Sequence, residues 1–189
     1  IALLERLVNV NSGTSNLAGV THVGELVRHE FESVGFQVEW LDMSAAGRAG
    51  HLIARHTGRH GTQRVLLIGH LDTVFEADSP FQRFVRQGDF ALGPGASDDK
   101  GGVVVILAAL RAMRDAGTLR GANLAVFLTG DEEAVGSPID VARADLIAAG
   151  KHADVALDFE GLVVLDGKDM GSVARRSADS FSLTAHGVA

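Results

Sequence analysis

Apolar and polar positions alternate along this chain with two different periods, and the switches between them mark its elements. Leu3, Leu4, Leu7 and Val8 recur at helical spacing, and the polar stretch NSGTSN ends that helix. Val20, Val23, Leu26, Val27, Phe31 and Val34 share one face of a second helix, which Gly35 closes. QVEWLDM and HLIARHT read as strands, and RVLLIGHLD is a continuous apolar run that enters a polar tip, as a buried strand does. GVVVILAALRAMRDAG is then a helix closed by Gly117, and ANLAVFLTGDEE a buried strand with an acidic end. PIDVARADLIAAG reads as one helix with Pro138 near its first turn, and ADVALDFEG as a further strand. This alternation predicts βαβ units and an α/β fold on a mixed, mostly parallel sheet. The pattern changes after about Gly161, and the closing SFSLTAHGVA alternates like a strand. The chain begins inside a helical pattern without an initiator Met, so a piece of a longer protein is expected.

Open α/β sheets bind ligands beyond the carboxyl ends of their strands. The stretches GHLDT, TGDEEA and LDFEG fall at such ends, and GPGASDDKGG precedes a helix, so four polar stretches are expected at one edge. His70 and Asp72 are two apart on an extended tip and project to the same face. They suit a metal ligand with its orienting carboxylate, two ligands, or a hydrogen-bonded turn pair. Asp98 and Asp99 are adjacent like charges at a helix start; either could cap the helix, but side by side they repel unless a cation lies between or beside them. A phosphate cradle fits poorly, because two carboxylates would repel the anion. Asp131, Glu132 and Glu133 form a run of three carboxylates, and Asp158 and Glu160 end another strand. Each could be a solvated turn on its own; together at one edge they fit a cation site. The other histidines, among them His22, His29, His51, His56, His60 and His152, read as structural or exposed, and His186 is assigned no role.

Composition narrows the chemistry. The chain has 189 residues and a net charge of −7, which argues against nucleic acid or an anionic membrane as partner. It has no cysteine, so a thiolate nucleophile and cysteine-ligated zinc are excluded and the compartment is left open. No apolar run reaches the length of about 18 residues that a membrane-spanning helix needs. Oxygen and imidazole donors without thiolate suit zinc, cobalt or manganese.

With GHLDTV, GPGASDDKGG, FLTGDEEAVGS and ALDFEG in this order, the sequence resembles the co-catalytic dizinc metallopeptidases. That family includes glutamate carboxypeptidase, aminoacylase, succinyl-diaminopimelate desuccinylase and the di- and tripeptidases. The opening ALLERLVNVNSGTSN resembles its first helix, and the motifs are nearest to the glutamate-carboxypeptidase branch. The resemblance implies a three-layer αβα sandwich holding two zinc (or cobalt or manganese) ions. It implies His70, Asp98, Glu133 and Glu160 as metal ligands, with Asp98 bridging the metals and Asp99 a neighbour. It further implies Asp72 as the group that orients His70, Glu132 as the general base, and a cis peptide bond after Asp98. The implied reaction is hydrolysis of an amide bond in a small peptide or N-acyl amino acid by an activated water. Residues 1–165 would then be the N-terminal part of the catalytic domain, and 166–189 the beginning of a smaller lid and dimerisation domain. The resemblance also implies a homodimeric parent, with a further zinc-binding His and an oxyanion-holding His beyond this chain, so that the chain alone would be impaired. A non-catalytic metal-binding fragment and a magnesium-dependent phosphotransferase using Asp98 and Asp72 are the competing readings.

Overall fold

The structure, a computed structural model, describes residues 1–174 and 182–187. Its elements in chain order are α1 (Ala2–Val8), α2 (Leu17–Val34), β1 (Gln37–Asp42), β2 (Gly50–His56), β3 (Arg64–His70), β4 (Val85–Gln87) and β5 (Phe90–Leu92). After these come α3 (Lys100–Asp115), β6 (Asn123–Thr129), α4 (Ile139–Ala142), α5 (Ala144–His152), β7 (Val155–Asp158), β8 (Val163–Leu165) and β9 (Lys168–Met170). Five strands form the central sheet in the order β1-β2-β6-β3-β7. β6, β3 and β7 run parallel, while β1 and β2 form an antiparallel flank. The register sets His70 beside Thr129 and Ile68 beside Asp158, so all three parallel strands end at the same edge.

The period-2 pattern of the strands sorts their side chains between two helical layers. Leu52, Ala54, Leu67, Val126 and Leu128 pack with Val20, Val23, Val27 and Phe31 of α2 and Ile106, Leu107 and Leu110 of α3. Their sequence neighbours Ile53, Leu66 and Phe127 face the other way, against Leu146, Ala149 and Ala153. The molecule is therefore a three-layer αβα sandwich around a mixed sheet. Asn16 caps α2 by accepting from the Gly19 amide at 3.1 Å, and Gly35 ends it at φ 98°, where a side chain would be strained.

Three expectations are corrected. The stretch PIDVARADLIAAG is two helices, α4 and α5, broken at Arg143 (φ −111°, ψ −1°). The guanidinium of Arg143 is drawn to Asp131, and the Ala142 carbonyl is taken by the side chains of His51 and Arg143. The closing strand is absent from described residues 182–187, and the rest of that stretch lies outside the described residues. Asp99 stands at the start of α3 but makes no side-chain cap, because its carboxylate is engaged at the tip of β3. Among the described residues no helix is long and apolar enough to cross a membrane.

Candidate metal centre

The site grows from the ends of β3, β6 and β7 and from the loop that opens α3. His70, the last residue of β3, is buried, and both ring nitrogens are committed. Nδ1 lies 3.1 Å from the Asp72 carbonyl and 3.3 Å from Asp72 Oδ1, while Nε2 lies 2.7 Å from Asp98 Oδ1. Both nitrogens thus face oxygen acceptors, an arrangement that favours the charged ring. Burial alone would lower its pKa, but the hydrogen bond and charge of Asp72, the charge of Asp99 and the hydrogen bond to Asp98 outweigh it. The imidazolium is pushed up to about 10. Asp98 itself is largely exposed and meets the ring at Nε2.

Asp72 is wholly buried and makes more contacts than an orienter of His70 requires. Its Oδ1 accepts the Glu132 amide at 3.0 Å, and its Oδ2 accepts the Glu133 amide at 3.1 Å and the Thr14 hydroxyl at 2.6 Å. Burial opposes its ionisation, yet His70, Thr14 and the Glu132 amide hold its pKa below the usual carboxylate range. The side chains of Glu132 and Glu133 then converge on the imidazole, so that one donor atom from each of His70, Glu132 and Glu133 lies within 4.8 Å of the others. Desolvation, followed by the neighbouring carboxylates, raises the pKa of both glutamates. Glu160 stands outside that trio but lines a cavity of about 330 Å³ together with His70, Glu132, Asp158 and Arg143. The structure thus brings all six sequence-chosen residues to one edge, with Glu160 on the cavity wall.

Asp99 is buried between β3 and α3, joined to Asp98 by a cis peptide bond. Its Oδ2 accepts the His70 amide at 3.0 Å. Its Oδ1 is the one buried side-chain oxygen without a hydrogen-bond partner among the described residues. Burial, opposed by His70 and aided by Asp158 and Asp98, lifts its pKa to about 7. The first turn of α3 leaves no room beside it: a Cβ on Gly102 would run into Asp99 Oδ1 and the Phe159 carbonyl. In an open helix Gly→Ala gains up to about 1 kcal/mol. Gly102→Ala is instead expected to lose about 1–2 kcal/mol net, since overpacking costs about 1–3. Urea unfolding checks this; a raised midpoint would show that helix propensity wins.

Residues far away in sequence fix these tips. Asp131 closes the turn after β6 by accepting the Gly136 amide at 2.8 Å and Arg143 Nη1 at 2.6 Å. His51 on β2 accepts the Gly130 amide through Nδ1 at 3.1 Å and donates Nε2–H to the Ala142 carbonyl at 3.0 Å. From the sequence His51 reads as structural or exposed; it is buried and structural, while Thr14 and Arg143 carry no expected role. The hint available for Thr14 was a run of small polar residues, NSGTS, too long for a plain helix stop. His70, Glu132, Glu133 and Asp98 form an imidazole and carboxylate donor set suited to a transition-metal cation. Lys100 and Arg143 do not supply the countercharge, since Lys100 Nζ donates to the Val10 carbonyl at 2.8 Å and Arg143 is bound to Asp131.

Comparison with known proteins gives the family and the fold. Residues 66–173, more than half of the chain, match peptidase family M20/M25/M40. Carboxypeptidase G2 from Pseudomonas sp. (strain RS-16) is 34% identical over 165 residues, covering 85% of this chain and 38% of that protein. Succinyl-diaminopimelate desuccinylase from Novosphingobium aromaticivorans is 29% identical over 195 residues, covering 99% of this chain and 50% of that protein. The chain thus spans half or less of the length of these relatives. Among solved structures, human carnosine dipeptidase 1 superposes with a TM-score of 0.68 at 19% identity, over 85% of this chain and 38% of that one. The metallo-carboxypeptidase Sso-CP2 from Sulfolobus solfataricus gives 0.67 at 18% identity, over 82% and 36%. At such identities the likeness is one of fold. The sequence match, the sandwich and the acidic cluster around His70 agree, and the chain belongs to peptidase family M20/M25/M40.

Proposed function

We propose that this chain carries the metal site of a hydrolase that cleaves amide bonds in small peptides or N-acyl amino acids, with carboxypeptidase-like preference. The observation that carries the reading is the packing of Asp98, Glu132 and Glu133 around His70 with neither Lys100 nor Arg143 turned to compensate them. His70, Asp98, Glu133 and Glu160 would hold two zinc-class ions. Bound zinc supplies Lewis acidity and brings the pKa of water toward about 7. Glu132 takes a proton from the attacking water and delivers it to the leaving amine nitrogen. Its raised pKa suits a group that must first accept and then donate. Asp72 lies against His70 Nδ1 and would orient the ring, so that Nε2 would be free to face an ion. Residues 1–165 would form the N-terminal part of the catalytic domain and 166–189 the start of a smaller domain that pairs two subunits.

Metal analysis and turnover of dipeptides and N-acyl amino acids by the whole protein test this reading. Two zinc-class ions per subunit are expected, with hydrolysis lost on chelation and restored by zinc. Absence of metal, or calcium alone, would overturn the reading.

A further inference from the structure

The loop between α1 and α2 is built into the site more firmly than a connection needs to be. Ser12 donates its hydroxyl to the Leu71 carbonyl at 2.9 Å, and its own carbonyl accepts the Thr73 amide at 2.9 Å. Gly13 pairs with Thr73 as a short parallel bridge. A Cβ on Gly13 would lie 2.6 Å from the Glu76 backbone, so this approach requires glycine. Asn11 holds the far side, with its Nδ2 donating to the Phe75 carbonyl at 2.9 Å and to Gln82 Oε1 at 2.8 Å. The result is to place Thr14, only 2% exposed, with its hydroxyl against Asp72 Oδ2.

What that hydroxyl holds is the junction of the site. The Asp72 carboxylate is shared by His70 Nδ1 and the amides of Glu132 and Glu133. A rotation of the carboxylate would therefore move a ring on β3 and the turn after β6 together. Three of its four partners belong to the site; the fourth, Thr14, comes from a separate loop and has its position set independently by Ser12 and Gly13. A carboxylate so divided needs a fixed donor to keep both oxygens aimed, and a β-branched hydroxyl with restricted χ1 is suited to this.

We propose that Thr14 is a positioning residue of the metal centre, setting through Asp72 the mutual placement of His70, Glu132 and Glu133. The proposal rests on the functional reading above. Its test compares Thr14→Val, Thr14→Ala and Thr14→Ser in the whole protein, read by zinc affinity in chelator competition and by the visible spectrum of the cobalt-substituted protein. Removing the direct supporting partner of a ligand weakens metal binding by about 10–100-fold, and Thr14 acts one contact further out, through Asp72. A loss of about tenfold, the lower end of that range, is expected for Val and Ala, with an altered cobalt spectrum, whereas Ser should stay within about threefold of the parent. In turnover the loss should fall on kcat with KM little changed, because Thr14 is buried and its hydroxyl is taken by Asp72.

Zinc affinity and cobalt spectrum unchanged in the Val or Ala variant would overturn the proposal. So would a Ser variant as weak as Val, since the hydroxyl would then not be the operative group. Ala guards against a valine methyl that cannot be accommodated against the carboxylate. If both Val and Ala failed to fold while Ser folded, Thr14 would be a folding residue and the proposal would fall. A parent protein that binds no zinc would instead overturn the functional reading, which separates the two failures.

Discussion

Glu132→Gln should lower kcat for amide hydrolysis by about 10²–10⁴-fold while leaving zinc content nearly unchanged. Gln keeps the volume of the side chain but cannot take the proton of the attacking water. The backbone of the turn does not depend on the Glu132 carboxylate, because Asp72 holds the Glu132 and Glu133 amides and Asp131 closes the loop to Gly136. The substitution therefore tests chemistry apart from architecture. Glu133→Gln is the companion: it should lose metal and activity together. The three-donor geometry of His70, Glu132 and Glu133 treats the two glutamates alike, so their roles rest on this experiment. Metal loss with Glu132→Gln and retention with Glu133→Gln would exchange them.

The edge of the sheet was legible in the sequence because two of its three parallel strands, β3 and β6, are mostly buried and end abruptly. Leu66, Leu67, Phe127 and Leu128 make continuous apolar runs, and the polar residues that follow them have nowhere to go but the edge. The short hairpins β4–β5 and β8–β9 were missed for the opposite reason. Val85, Phe90 and Leu92 are exposed, as are Val163, Val164 and Leu165, so burial imposes no alternation on them. The break at Arg143 was invisible because its cause, Asp131, lies in another element. Asp99 shows the same limit from the other side. Local rules make it a helix cap, but the His70 amide offers its carboxylate a buried donor across the sheet edge, and the tertiary partner wins. The supports of the site, Thr14, Ser12 and His51, were illegible because a hydroxyl or imidazole reaching a residue 58 to 79 positions away leaves no periodic trace.

Zinc and pH should act on stability in opposite senses, and the two trends share one group. In the metal-free protein the His70 imidazolium is held up at about 10, above the ordinary value of 6.5 that the unfolded chain has. The stability it contributes is fully present below pH 6.5 and is lost as pH rises toward 10. Asp99, raised to about 7, has spent its own contribution by that pH. Lys100, lowered to about 8 by burial, works in the reverse direction only above it. Between pH 7 and 8 His70 therefore dominates, and the metal-free protein should lose up to about 1.4 kcal/mol per pH unit. Zinc must displace the Nε2 proton, so its affinity should rise about tenfold per pH unit in the same range. At about 1,000-fold excess over Kd, bound zinc adds about 4 kcal/mol. Thermal melts with zinc and with chelator at pH 6, 7 and 8 should show midpoints that diverge as pH rises. A gap that stays constant would mean that His70 Nε2 exchanges no proton for metal, and coincident midpoints at every pH would mean that His70 holds no zinc.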